Sequence, residues 1–214
     1  REYAAFYQGM IDELIQNPGL PDDFVMEKHL RREFPEITPE ELKETMGNLI
    51  FIDTYIRFFY REKVVKTLAD NGIHVHCVGH GWDKLACIHP GCLTYEPNTS
   101  SLDCLKRMAD ARISLNVMPW FKDGAHDRVF NAMANGSICF TDHSIYLDEI
   151  LSDGENALFY GLEGLELLPE KIKTLLNMPS RQEEIAANGF ELAIKNHTWH
   201  SRAKTLYENL LGLF

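Results

Sequence analysis

One stretch decides the fold, residues 113–160, which reads ISLNVMPWFKDGAHDRVFNAMANGSICFTDHSIYLDEILSDGENALFY. It opens with a short β-branched and apolar run, residues 113–117, which a loop containing proline and glycine interrupts. Residues 125–134 then carry apolar side chains at helical spacing, and Gly136 supplies the stop signal of a helix. Residues 137–141 resume extended structure. The pattern predicts a βαβ unit.

The elements around this unit predict an α/β domain with a Rossmann-like parallel sheet flanked by helices. Upstream, strands are predicted at residues 73–78 and 93–95, with a helix at 101–109. Downstream, a short helix at 146–151, a turn at Gly154 and a strand at 157–160 are followed by helical patterns at 165–176, 181–195 and 200–211.

The N-terminal part has a different pattern, typical of a helical appendage or linker. Residues 2–16 form one helical stripe and a second begins at Pro21. A third starts at the capping-box pattern of residues 38–41, and either continues to Asp70 or is interrupted by a strand at 49–52. We therefore predict a helical unit at residues 1–55 and a Rossmann-like domain at 56–214. The apolar stripes of the helical unit belong to a core or to a docking face.

The amino-acid composition of the chain argues against some classes of binding partner. The 214 residues carry a formal net charge of -11, which argues against a nucleic-acid or anionic-membrane surface. No apolar run approaches the roughly 20 residues that a membrane helix requires. Five cysteines without regular spacing favour a reducing compartment, so we expect a cytoplasmic location.

Two loops are candidate ligand sites because each follows a predicted strand, where open α/β sheets bind ligands. Residues 123–131 span a loop and the amino end of the central helix, which favours an anion. Residues 79–82 contain a Gly-x-Gly turn that lets a ligand approach the backbone. The alternatives are a surface loop without a ligand and a simple tight turn.

The candidate metal ligands are Cys87, His89 and Cys92, since cysteine and histidine are the usual zinc ligands. The spacing is unlike the paired zinc arrangements, and we find no clear fourth ligand. We expect no metal there.

The motifs resemble a known family when taken together. Residues 128–142, 147–150 and 154–160 look like the donor-binding half of GT-B glycosyltransferases, within the group 1 glycosyl transferases. The spore-maturation, CgeB-like branch is the most similar. Residues 78–82 and 197–202 agree with the same pattern, and the resemblance covers roughly residues 56–211.

The resemblance implies roles for particular residues. In retaining GT-B families, an acidic residue that contacts the donor sugar is followed eight positions later by one that contacts the ribose. This register falls on Asp123 and on Asn131, which departs from the pattern because an amide carries no charge. The predicted catalytic residues are Asp123 and His126. The predicted nucleotide- and donor-binding residues are Gly79, His80, Gly81, Trp82, Arg128, Val129, Asn131 and Glu149.

Some of these residues have a simpler interpretation. Arg128 suits a diphosphate or a surface ion pair, His126 a leaving phosphate or a loop cap, and Glu149 a donor contact or a solvated helix face. The reaction that the resemblance implies is sugar transfer from a nucleoside diphosphate to an unknown acceptor, without a metal or cofactor. An acceptor-binding domain is expected beyond this chain. The competing class is a non-catalytic nucleotide-binding or protein-interaction domain.

Overall fold

A computed structural model describes residues 3–212. The helices are α1 (Ala4–Gln16), α2 (Asp22–Glu33), α3 (Pro39–Asn48), α4 (Ile50–Asp70), α5 (Ser101–Asp110), α6 (Asp127–Ala134), α7 (Ile145–Ile150), α8 (Leu168–Leu176), α9 (Pro179–Asn196) and α10 (Trp199–Leu211). The strands are β1 (Val75–Val78), β2 (Leu93–Glu96), β3 (Ile113–Asn116), β4 (Ile138–Asp142) and β5 (Leu158–Tyr160). Single turns of 3₁₀ helix lie at Trp82–Lys84, Pro90–Cys92 and Leu165–Leu167.

The strands form two parallel sheets. One has the order β3-β4-β5, with Ile113 opposite Ile138 and Phe140 opposite Leu158. The other pairs β1 with β2. Since β3, α6 and β4 are consecutive and the two strands are parallel, the predicted βαβ unit is confirmed. The fold is α/β with parallel sheets and flanking helices, as predicted.

All of β4 is buried, and its alternating side chains enter two different cores. Ile138 and Phe140 belong to the large cluster shared with α1–α4, α8 and β5. Cys139 belongs to a second cluster with Val129 and Met133 of α6. Strand β4 is therefore the centre of a three-layer arrangement, with helices covering both faces of its sheet.

Two glycines permit this packing. Gly136 has φ 76°, a conformation that glycine adopts without strain at the end of a helix, and so α6 ends where the sequence predicted. At Gly189 in α9, a Cβ atom would lie 2.7 Å from the carbonyl oxygen of Asn156. Any larger residue there would push α9 away from the loop before β5.

The N-terminal helices are present, but one detail differs from expectation. A single helix to Asp70 was one prediction and a strand at residues 49–52 the alternative; instead α3 ends at Asn48 and α4 begins at Ile50. Leu49, with φ -90° and ψ 8°, is buried and forms the junction. Its burial fixes a bend that hydrophobic periodicity does not reveal.

The predicted boundary at residue 55 falls inside α4. Met10, Leu14 and Ile52 lie in the same large cluster as the sheet residues Phe140 and Leu158. The apolar stripes of the helical unit are thus partly core, and the helices cover one face of the sheet. Within residues 3–212, no helix combines the length and apolar character needed to cross a membrane.

Candidate functional site

The candidate site lies where β3 and β4 end and α6 begins. The N-cap of α6 is His126, whose Nδ1 accepts a hydrogen bond from the Arg128 backbone at 3.3 Å. The positive end of the helix dipole lies here, while His126 already accepts hydrogen bonds from the backbone N–H groups of Arg128 and Val129. The backbone of α6 alone therefore gives the site a positive electrostatic potential.

Arg128 is the central side chain. Its Nε donates to Oδ1 of Asn116 at 3.0 Å, and Nη2 donates to the carbonyl oxygen of Val117 at 3.4 Å. Both partners are neutral, and no carboxylate of residues 3–212 forms an ion pair with it. Burial, followed by the charge of Arg61, lowers the pKa of Arg128. This guanidinium is a half-buried cation that forms no ion pair in the described chain, and the charges of Asp127 and Asp142 act on it only from beyond ion-pair distance.

Helix α4 brings two further arginines to the same place. Arg57 and Arg61 are one helical turn apart, and their guanidinium carbons lie 4.2 and 5.0 Å from the centroid of the Trp120 ring. Asp53 neutralises Arg57, with Nε–Oδ1 2.8 Å and Nη2–Oδ2 2.7 Å. In the described part of the chain, Arg61 has no such partner, and burial together with Arg57 lowers its pKa.

Lys122 and Asp142 complete the surroundings. Asp142, at the end of β4, is 2% exposed and accepts a hydrogen bond from the Met118 backbone at 2.9 Å. Burial raises its pKa to about 6. Lys122 donates to the carbonyl oxygen of Pro18, and burial lowers its pKa. The loop between α1 and α2 thus reaches this edge of the sheet.

His126 is held between aromatic rings, with Trp120 and Phe121 in edge contact. Burial, followed by the charge of Arg128, lowers its pKa and favours the neutral imidazole. Its Nδ1 has two competing partners, the Arg128 N–H and Oδ1 of Asp127 at 2.5 Å. In the neutral form that accepts from Arg128, the proton is on Nε2, which makes Nε2 a hydrogen-bond donor.

The other predicted residues near α6 occupy different environments. Asp123 is exposed in the loop, and Glu149 is exposed on α7. The Asn131 amide donates to Oδ2 of Asp127 at 3.3 Å. Val129 is 0% exposed and packs in the core under α6. Its side chain is out of reach of a ligand, and its backbone N–H already donates to the His126 carbonyl at 3.1 Å.

The glycine turn lies at the carboxyl end of β1, in the smaller sheet. Gly79 and Gly81 have φ values of 127° and 92°, which side chains rarely adopt, so both positions require glycine. His80 is exposed, and Trp82 is half-buried at the start of a 3₁₀ turn. The backbone conformation is that of a tight turn with an open surface.

The candidate metal ligands Cys87, His89 and Cys92 lie around a 3₁₀ turn. Cys87 and Cys92 also pack against the small core between α4 and β1. Among residues 3–212, no group of three or more histidine, cysteine or acidic side chains is arranged to hold a metal ion.

Sequence reasoning missed three residues of this site, Arg61, Asn116 and Lys122. Arg61 is inside the predicted domain of residues 56–214, but on a helix that crosses the predicted boundary at residue 55, where it shares a face with Arg57 at i, i+4 spacing. Asn116 is a polar residue at the end of a strand with an apolar pattern, a signal that would have identified it. Lys122 lies one residue before the candidate stretch of residues 123–131.

Comparison with known proteins identifies the relatives of this arrangement. The model of a family described as glycosyl transferase-like matches residues 61–208, more than half of the chain. Comparison with curated proteins gives no match.

Solved structures share the fold. Sucrose-phosphate synthase from Thermosynechococcus elongatus superposes with a TM-score of 0.54 at 18% identity, over 72% of this chain and 44% of that one. TarM gives 0.55 at 18% identity, over 73% and 32%. Anabaena HepE (Alr3699), solved in complex with UDP-glucose, gives 0.56 at 14% identity, over 69% and 44%. The chain spans less than half the length of each of these proteins.

Proposed function

Because the chain belongs to the glycosyl transferase-like family, we propose that it is the donor-binding domain of a GT-B glycosyltransferase of the CgeB-like branch. In this proposal, a nucleoside diphosphate sugar binds at the carboxyl ends of β3 and β4, against the amino end of α6. The complex of the similar HepE structure with UDP-glucose supports this class of ligand.

One observation carries the proposal: Arg128 and Arg61 are half-buried beside each other without carboxylate partners in the described chain. Bringing two guanidinium groups together and partly out of water costs free energy unless an anion compensates. In a chain with a net charge of -11, acidic residues are abundant, yet no carboxylate within residues 3–212 forms an ion pair with either group, and Asp142 acts on both only at longer range. A diphosphate supplies the missing negative charge, and guanidinium groups bind phosphate oxygens in a bidentate manner.

The proposed reaction follows from this geometry. The bond between the anomeric carbon and the β-phosphate oxygen breaks, and a bond from the acceptor oxygen to that carbon forms. Negative charge develops on the leaving diphosphate, where Arg128, Arg61 and the positive end of the α6 dipole stabilise it. The Nε2–H of neutral His126 donates to the same phosphate. The acceptor proton passes to a base outside this site.

The remaining donor contacts are assigned by position. Asp123 is exposed in the loop before α6, Glu149 is exposed near the carboxyl end of α7, and both contact the sugar in this proposal. The turn of residues 79–82 contributes backbone to the nucleotide side. The acceptor and its binding domain belong to the complete protein, which we expect in the cytoplasm. No metal or cofactor takes part, since the arginines supply the charge that a divalent ion would otherwise provide.

Titration of the chain with UDP, GDP and dTDP tests the proposal. We expect at least one nucleoside diphosphate to bind and raise the melting temperature, with no change when EDTA is added. The isolated chain should transfer little sugar, because it holds only the donor side of the cleft. Failure of all three nucleotides to bind would refute the donor-site proposal, and binding that requires Mn²⁺ would refute the metal-free one.

A second function is favoured by one departure. Asn131 replaces the acidic residue that contacts the ribose in the family pattern, and its amide is engaged by Asp127. A domain that binds the nucleotide without transferring sugar would tolerate this change. Sugar transfer by the complete protein, measured with and without Asn131→Glu, separates the two functions: a catalytic domain transfers sugar in both forms, and a binding domain transfers it in neither.

A further inference from the structure

We propose that Asn116 is a positioning residue that holds the Arg128 guanidinium for the diphosphate while leaving its charge unneutralised; this inference rests on the proposed function. Asn116 is the last residue of β3 and is 2% exposed. It touches no predicted ligand position itself. It acts through Arg128, whose Nε lies 3.0 Å from its Oδ1.

The orientation of the Asn116 amide follows from the chemistry of its neighbours. Arginine has only donors, so the group facing Arg128 must be the carbonyl oxygen of the amide. The amide nitrogen then faces Oγ1 of Thr141 at 2.9 Å and donates to it. The Thr141 hydroxyl in turn donates a hydrogen bond to the carbonyl oxygen of Asp142 at 3.1 Å. Each donor in this chain has an acceptor, so the amide has one consistent orientation.

The backbone of Asn116 is fixed as well. Its carbonyl oxygen accepts a hydrogen bond at 2.7 Å from the Tyr160 hydroxyl, which lies at the end of β5. Asn116 thereby connects the ends of β3, β4 and β5 to the first turn of α6. A buried, fully bonded side chain of this kind has little rotational freedom, and the guanidinium that it holds is preorganised.

The neutrality of the amide is what makes this arrangement suited to an anion. A guanidinium has five N–H donors, and two of them bond to Asn116 and Val117. The other three point to no carboxylate in the described chain. An aspartate at position 116 would hold Nε in the same way but would neutralise the charge. Asparagine provides the acceptor without the counter-charge.

The anion test uses inorganic pyrophosphate as the probe, with calorimetric titration of the wild-type chain and its variants. We expect Asn116→Ala to weaken pyrophosphate binding about tenfold, as expected for loss of a charge-assisted contact. Asn116→Asp should weaken it at least as much despite a folded chain. In an Arg128→Ala background, Asn116→Ala should change affinity by less than about twofold, because coupled residues are not additive.

Asn135→Ala is the matched control. Asn135 is at the other end of α6, and its amide donates to the Asn131 carbonyl at 2.8 Å, so its loss perturbs the same helix without reaching Arg128. Pyrophosphate affinity should stay at the wild-type value. Equal affinities of wild type, Asn116→Ala and Asn116→Asp, or equal losses for Asn116→Ala and Asn135→Ala, would overturn the inference.

A spectroscopic readout tests the contact without any ligand. The Arg128 Nε–H signal, assigned in ¹H–¹⁵N spectra by its loss in Arg128→Lys, should exchange slowly in the wild type and in Asn116→Asp, and rapidly in Asn116→Ala. Rapid exchange in the wild type would overturn the positioning role. If UDP, GDP and dTDP all fail to bind while pyrophosphate follows the expected order, the donor function fails and the positioning role stands.

Discussion

Arg107 and Arg128 lie beside the two parallel sheets of the same domain and have opposite kinds of partner. Arg107, on α5 next to the smaller sheet, forms two bonds to Glu96, with Nε–Oε1 2.7 Å and Nη2–Oε2 3.0 Å. Arg128, at the end of the larger sheet, bonds to an amide and a carbonyl. The first arginine is neutralised within the fold, and the second remains able to take an external anion.

The strands around these arginines differ in the same way. Every residue of β4 is buried, whereas Tyr95 in β2 is 52% exposed. A polar group at the end of a buried strand must find a partner, and its position is then fixed tightly. An exposed ion pair contributes little and is free to move. The larger sheet thus combines rigidity with an unsatisfied charge, which is what a binding site requires.

The largest effect is expected in the core of the larger sheet. Phe140 is 0% exposed, and its ring lies 4.8 Å from that of Tyr160. Phe140→Ala should lower the free energy of unfolding by about 3 to 5 kcal/mol, measured by urea denaturation. Tyr95→Ala, in the smaller sheet, should change it by about 0.5 kcal/mol.

Phe140→Leu provides a milder version if the alanine variant does not fold. Similar losses for Phe140→Leu and Tyr95→Ala would mean that the two sheets are equally packed. The comparison between them would then be wrong.

The next effect concerns the two arginines. Arg128→Ala should weaken binding of the best nucleoside diphosphate by about 1.5 to 3 kcal/mol, tenfold or more, because a charge-assisted contact is lost. Arg107→Ala removes the same charge from the surface and should leave the dissociation constant unchanged. Calorimetric titration measures both. Equal dissociation constants for wild type and Arg128→Ala would remove Arg128 from the site.

The smallest expected effect is a pH dependence of stability, which has opposite signs for Asp22 and for Asp103. Burial, followed by contact with Asp53, raises the pKa of Asp22 beside the larger sheet to about 7. The folded state then binds a proton that the unfolded state releases near pH 4, so this stability is lost as pH rises from about 4 to 7. The gain in free energy of unfolding of Asp22→Asn over the wild type should therefore be larger at pH 8 than at pH 5, by on the order of 1 to 2 kcal/mol.

The control is Asp103 on α5, for which a hydrogen bond from Lys106 holds the pKa below its ordinary value. Its sign is opposite, because stability from a lowered carboxyl pKa is present at neutral pH and lost as pH falls. Any difference in stability between Asp103→Asn and the wild type should thus disappear as the pH falls. Thermal unfolding at pH 5 and 8 shows both trends, and equal pH profiles for wild type and Asp22→Asn would exclude the assignment to Asp22.

Much of the fold follows from local pattern. The alternation in residues 137–141, the helical spacing in 125–134 and the stop at Gly136 predicted β4, α6 and their connection, and the structure agrees to within a few residues. These signals are local because each depends on burial of one face and on the conformation of one glycine. The junction at Leu49 was not predicted, since both flanking segments have helical spacing.

Less of the candidate site could be predicted from the sequence. The position of Arg128 in the first turn of a helix after a strand could be predicted, because both elements have sequence signatures. The burial of Val129 follows from the same helical stripe and was overlooked. The pairing of Arg57 with Asp53 follows from their i, i+4 spacing, and Arg61 has no acidic residue four positions away on either side. What spacing does not provide is that the folded chain brings Arg61 close to Arg128.

The sequence by itself determined the order of strands and helices and an anion-favouring turn at residues 123–131, because periodicity, caps and glycines act over a few residues. Only the tertiary structure decided which charges remain free. Arg61 is far from Asn116 and Arg128 in the chain, and it comes close to them because α4 packs on one face of the sheet and α6 on the other. Whether a cation is neutralised depends on distances of 3 to 4 Å between such residues, and packing sets those distances.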